Sequence, residues 1–186
     1  MSEKYSIIFQ PPAAVIEQVQ QLKSDLAEVI GWYASRHAAA HITIQEFVVD
    51  PRKIDLISRQ LQRYCASLTP VAVCLNRLDS FPNGAFFIQP DPSSRLLLAQ
   101  LMKGIQQAVP TPNTHRGTEP HLTIGRRLSF EKLLIAREVI ATPNIRFSCD
   151  TVALRRFNPL KKQFEIVAEF PFLGLPSTQE IQGSLF

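Results

Sequence analysis

The chain runs to 186 residues, with 45% hydrophobic and 19% charged side chains; that balance packs a globular core and excludes a disordered polymer, and two domains with separate cores would be cramped. Lys and Arg number 20 against 16 Asp and Glu, a formal net charge of +4 that favours an anionic partner without demanding one. Cys65, Cys74 and Cys149 are odd in number and widely spaced, which excludes a paired zinc motif and a dense disulfide framework and leaves buried free thiols.

Met1 to Lys4 leads straight into an apolar segment, with no basic leader and no signal-length apolar stretch. No apolar run approaches the roughly 20 residues needed to cross a bilayer. The expectation is a cytoplasmic protein with no membrane partner, acting as a monomer.

Tyr5 to Gln10 reads as a strand stopped by Pro11 and Pro12, and Val15, Val19, Leu22 and Leu26 then follow a helical period until Gly31. After a connection from Gly31 to Ala40, His41 to Val49 is a second strand, closed by Asp50-Pro51. Ile54 to Leu68 marks a second helix, Val71 to Leu75 a third strand, and Ser80 to Gly84 a loop. Ala85 to Gln89 is a fourth strand, and Ser93 or Ser94 can cap a third helix that carries Leu97, Leu101, Ile105 and Val109.

A long polar connection from Pro110 to Pro120 leads into the strand His121 to Arg126. A fourth helix follows, with Phe130, Leu133, Leu134, Arg137 and Ile140 on one side. Arg146 to Phe157 and Gln163 to Phe172 then read as a hairpin turned at Asn158-Pro159-Leu160, and the tail from Leu173 to Phe186 carries no pattern. This order implies an α+β fold of pseudo-two-fold character: antiparallel sheets line a central cleft, helices lie outside, and residues 1–186 form one domain of two lobes.

Two tetrads carry the chemistry, His41-Ile42-Thr43-Ile44 and His121-Leu122-Thr123-Ile124. Alternate side chains of a strand share a face, so each strand presents an imidazole beside a hydroxyl while its aliphatic residues point to the core. In-line cleavage of a P–O bond needs a proton taken from the nucleophile and one given to the leaving oxygen, which two imidazoles can supply near neutrality.

With those residues the chain resembles the two-histidine (2H) phosphoesterase superfamily, especially the branch of 2′-5′ RNA ligases and RNA 2′,3′-cyclic phosphodiesterases. The likeness extends to the strand ending in Pro11-Pro12, to Phe81-Pro82, and to Pro120-His121-Leu122-Thr123-Ile124-Gly125-Arg126. The resemblance implies a bilobal fold with a central cleft, no metal and no cofactor. It also implies hydrolysis of a 2′,3′-cyclic phosphate on an RNA end or a cyclic nucleotide, or turnover of 2′-5′ linkages. By position, His41 and His121 are then the catalytic acid–base pair, in an order left open, and Thr43 and Thr123 the phosphate ligands. Gln45-Glu46-Phe47 departs from the branch by placing a carboxylate after the first tetrad.

Further candidates for substrate binding are Arg126, which needs a bend at Gly125 to reach a phosphate, and Tyr33 and Arg36 in the loop before the first tetrad. His115 and Arg116 precede the second tetrad in the equivalent loop, and Arg155-Arg156 and Lys161-Lys162 bracket the hairpin turn. A zinc site from His37, His41, His115 and His121 lacks a carboxylate or cysteine at ligand spacing. The alternatives to a phosphoesterase of RNA ends are a non-catalytic RNA- or nucleotide-binding relative that keeps the cleft, and a phosphodiesterase of a nucleotide metabolite such as a cyclic ADP-ribose derivative.

Overall fold

A computed structural model describes residues 1–112 and 114–176. β1 (Glu3–Phe9) gives way at Pro11-Pro12 to α1 (Ala13–Ile30), because the fixed φ of proline suits a helix start whose first N–H groups lack partners anyway. Gly31 ends α1 with a φ of 73°, a conformation that glycine adopts without steric cost. Next come β2 (Ile42–Val49), α2 (Ile54–Ala66), β3 (Val71–Ser80), β4 (Phe86–Pro90) and α3 (Pro92–Ala108). The remainder is β5 (His115–Arg116), β6 (Leu122–Gly125), α4 (Phe130–Val139), β7 (Ile145–Cys149), β8 (Thr151–Asn158) and β9 (Gln163–Pro171).

Among the described residues all nine strands join one antiparallel sheet in the order β7-β3-β4-β6-β2-β1-β8-β9, with β5 beside β2. The two halves of the sheet are related by a shift along the chain: β1-α1-β2-α2 corresponds to β4-α3-β6-α4. The helices cross between halves in the same way, α1 packing on β6 and α4, and α3 on β2 and α2. Ile42, Ile44, Leu122 and Ile124 are fully buried in one core with Val19 and Leu26 of α1 and Leu98 and Ile105 of α3. Helices therefore cover one face of the sheet, and the half-buried His41, Thr43, His121 and Thr123 belong to the other.

Four expectations change in detail. The segment Arg146 to Phe157 is two strands: Asp150 separates β7, which pairs with β3, from β8, which pairs with β1 and β9, so the segment serves both ends of the sheet. The cap of α3 is Asp91, whose carboxylate accepts from the Ser94 N–H at 2.7 Å; Ser94 lies inside the helix, and its hydroxyl accepts from the Cys74 N–H at 2.9 Å. On α4 Phe130 and Leu134 are exposed, and Ala136 and Ile140 face the core. The polar connection before the second tetrad contains β5, paired with Gln45 and Glu46. The three cysteines are free and buried, and of the tail only residues 173–176 are described, without a regular element.

Candidate active site

β2 and β6 meet through one pair, Ile42 with Leu122. In that antiparallel register His41 falls opposite Thr123, and Thr43 opposite His121. The two histidines are diagonal neighbours, a relation that spaces residues roughly 7–8 Å apart on a regular ladder. A phosphate bridged by two imidazoles and two hydroxyls needs such spacing.

Each tetrad carries the same irregularity at its fourth residue. On β2 the pairing with β1 shifts between Ile7–Gln45 and Ile8–Thr43, leaving Ile44 as the extra residue. On β6 the pairing with β4 shifts between Phe86–Gly125 and Phe87–Thr123, leaving Ile124 as the extra residue. A bulge reverses the alternation beyond it, so Gln45 turns into the core while Glu46 and Arg126 come to the open face with the histidines. The bend needed for Arg126 is this bulge.

The carbonyls at the bulges are held by the loop before the opposite tetrad. Ile44 O accepts from the Gly117 N–H of that loop at 2.9 Å and, in addition, from Gln106 Nε2 of α3 at 2.8 Å, and Ile124 O accepts from the Ser35 hydroxyl at 3.2 Å. Gly117 sits so close that a Cβ there would lie 2.6 Å from Thr43 O, well inside contact distance.

His41 donates through Nδ1 to Ala39 O at 2.7 Å, and His121 through Nδ1 to Glu119 O at 2.9 Å. A carbonyl only accepts, so the hydrogen is on Nδ1 in both rings and each Nε2 remains for proton exchange. Phe81 meets the His121 ring edge-on at 5.2 Å between centroids, and Phe87 lies 4.9 Å from it. These rings fix the imidazole plane and desolvate it.

Burial, then the Arg155 guanidinium, and more weakly Lys23 and Arg126, push the His41 imidazole down to about 3. Burial also lowers His121, opposed by its bond to Glu119 O and by the Glu119 charge. Both rings are neutral at pH 7 in the free protein, and His41 is surrounded by cations. An anion bound among those cations favours the protonated forms again.

Arg155 has little outward signal in the sequence. It is 7% exposed on β8, donates through Nη2 to the Ser6 hydroxyl at 3.1 Å and lies 5.0 Å over the Phe164 ring. Its Nε is buried without a hydrogen-bond partner among the described residues. Burial lowers its guanidinium to about 10. A buried guanidinium with a spare donor beside a histidine suits an anionic ligand. Arg155 lines a pocket of about 580 Å³ with His41, Glu46, Arg126, Phe157 and Phe164.

Lys23, 1% exposed, donates from Nζ to Ser35 O at 3.3 Å and Ala38 O at 2.7 Å and so braces the loop leading to His41. Tyr33 is 3% exposed, and its hydroxyl donates to Lys23 O at 2.9 Å, so it forms part of the wall of a groove and offers no open ring. The outward aromatic of that loop is Trp32. Arg36 lines a second groove with Trp32, away from His41. His115 and Arg116 are exposed on β5, and among the described residues no three His, Cys, Asp or Glu side chains group as a metal ion would need.

The curled antiparallel sheet with four helices on one face is the fold of known phosphoesterases. The chain belongs to the 2′-5′ RNA ligase superfamily, whose family profile matches residues 11–159. The crystal structure of E. coli LigT complexed with NADP+ aligns with a TM-score of 0.66 at 14% identity, over 93% of this chain and 99% of LigT. LigT complexed with 3′-AMP aligns with a TM-score of 0.70 at 14% identity, over 92% and 98% of the two chains. TT0787 of Thermus thermophilus aligns with a TM-score of 0.64 at 19% identity, over 93% and 100%. At these identities the likeness is one of fold. No curated protein sequence matches the chain significantly.

Proposed function

We propose that the chain hydrolyses a 2′,3′-cyclic phosphate, on an RNA end or a nucleotide, by proton transfer between His41 and His121 without a metal ion. The observation that carries this reading is the matched anchoring of the two rings, each held through Nδ1 by the carbonyl two residues back with Nε2 left for chemistry. Membership of a superfamily acting on phosphodiester bonds supports it. So does the fold shared with LigT, a protein crystallised with 3′-AMP and with phosphate.

His41, the ring more crowded by cations, is the base and accepts a proton from water as its oxygen attacks phosphorus. His121 carries the other proton and delivers it through Nε2 to the departing ribose oxygen, leaving a monophosphate. Each transfer contributes about 10²- to 10⁴-fold. Thr43 and Thr123 donate their hydroxyls to the non-bridging oxygens, and Arg126 and Arg155 balance the charge. A 5′-hydroxyl in place of water, with the 3′ oxygen leaving, gives a 2′-5′ linkage by the same transfers.

Phosphorus NMR of a 2′,3′-cyclic nucleotide incubated with the protein in excess EDTA tests the reading. Conversion of the cyclic resonance to a single monophosphate is expected. Binding with no conversion would replace the hydrolase with a nucleotide-binding relative.

A further inference from the structure

We infer that a strand whose cyclic end occupies the site at His41 and His121 runs on into a second groove, which joins the pocket beside His41 at Arg126, and that one of its bases stacks on Trp32. This rests on reading the His41–His121 site as the seat of the cyclic phosphate.

The groove has a volume of about 760 Å³ and shares His37, Arg126, Lys162 and Gln163 with the pocket beside His41. Each of the two spaces is by itself the size of a site for one small ligand, roughly 300–1,000 Å³. A mononucleotide fills the first and leaves the second unused. Every charged side chain lining the groove is cationic: Arg36, Arg126 and Arg127 on one side, Lys161 and Lys162 on the other. Lys161 shares its charge with Glu165 at 2.7 Å.

Arg127 and Lys162 hold left-handed backbone, with φ of 57° and 53°. Glycine or asparagine would relieve that backbone, yet a cation stands at both places, one on each wall. Trp32, the chain's one tryptophan, lines the groove but not the pocket beside His41; it is 72% exposed, and its carbonyl accepts from Lys132 Nζ at 3.3 Å. Its backbone is therefore tied while the indole stays open. Cations along a groove that also carries an open aromatic face are what single-stranded nucleic acid uses, phosphates on the charges and a base stacked on the ring. An acidic peptide would answer the cations and leave the indole without a partner.

The experiment compares a 2′,3′-cyclic mononucleotide with a trinucleotide carrying the same end, and follows Trp32 fluorescence with a 3′-phosphorylated trinucleotide. The trinucleotide is expected to show a kcat/KM roughly tenfold higher or more, in line with stacking of a base on an aromatic ring, and to quench Trp32 where a 3′-mononucleotide does not. Trp32→Ala and Arg127→Asn should remove the trinucleotide advantage and leave turnover of the mononucleotide within twofold. Each cation removed should flatten the salt dependence of trinucleotide binding by about 0.7 in log–log slope.

Equal kcat/KM for the two substrates without quenching would overturn the inference while leaving the hydrolase reading in place. Quenching by the trinucleotide with no turnover of either substrate would keep the groove and remove the hydrolase. Equal quenching by poly-glutamate would also overturn it, since charge alone would then explain the groove.

Discussion

Glu46 and Arg126 occupy the same place in the two halves of the sheet, each five residues beyond its histidine and each brought to the open face by a bulge after the threonine. Their charges are opposite, so the pseudo-two-fold symmetry of the fold ends at the chemistry of the site. Glu46 pairs with Lys4 at 2.6 Å and its charge supports the buried Arg155 guanidinium. Arg126 borders both the pocket beside His41 and the groove beyond it. Inhibition by inorganic phosphate should read this asymmetry. Arg126→Ala is expected to weaken it about tenfold or more, the size of one charge-assisted hydrogen bond, and Glu46→Gln to tighten it by removing a negative charge from an anion site. Equal, small effects of both would contradict the placement.

The pH dependence of kcat/KM follows from the direction of the two imidazole shifts. The active free protein carries one proton on the pair, so the maximum lies midway between two apparent values that burial has moved below the ordinary 6.5. The maximum is expected on the acid side of pH 6.5, with activity already declining by pH 6.5 and falling further toward pH 8 as the protonated fraction of His121 shrinks. Stability runs the other way. The unfolded imidazoles take up protons below about 6.5 while the folded ones resist, so the stability of the neutral pair is complete above 6.5 and is lost as pH falls. A rate profile with its optimum at pH 7.5 or above would contradict the assignment.

Arg155→Met tests the cation beside His41. Removing the guanidinium should raise the His41 pKa measured by NMR, since Arg155 is the leading charge that lowers it, and should raise the KM for a cyclic phosphate. An unchanged His41 titration would separate Arg155 from the site.

The two tetrads, the helix start after Pro11-Pro12 and the stop at Gly31 were legible because they depend on neighbours in the chain. Period-two alternation put His41 and Thr43 on one face, and the structure agrees with that spacing. The bulges at Ile44 and Ile124 were not legible, since the extra residue exists only against a partner strand; the requirement for a bend at Gly125 was the trace of one. Arg155 faces the site through its pairing with Ser6, which lies 149 residues away in the chain. Its available signal was a charged residue after the apolar run Val152 to Leu154. An aromatic in a loop gives no local sign of burial, so the sequence does not tell Tyr33, which is 3% exposed, from its neighbour Trp32, which is open to solvent.

Gly117→Ala checks the bulge on β2. The added Cβ would press on Thr43 O at 2.6 Å and on the Met102 methyl at 2.9 Å, an overpacking that costs roughly 1–3 kcal/mol. A lower Tm is expected together with a lower kcat, because the bonds that Gly117 and Gln106 make to Ile44 O, next to Thr43, are displaced. A variant with wild-type Tm and turnover would show that the contact yields.

The most direct measurement is single-turnover hydrolysis of a 2′,3′-cyclic phosphate by wild type, His41→Ala and His121→Ala, with circular dichroism to establish that all three are folded. Each single variant is expected to lose about 10²-fold or more, and the double variant little beyond the worse single one, as groups acting on one proton path do. A folded variant that retains turnover within a few-fold of wild type would contradict the shared role of the two histidines.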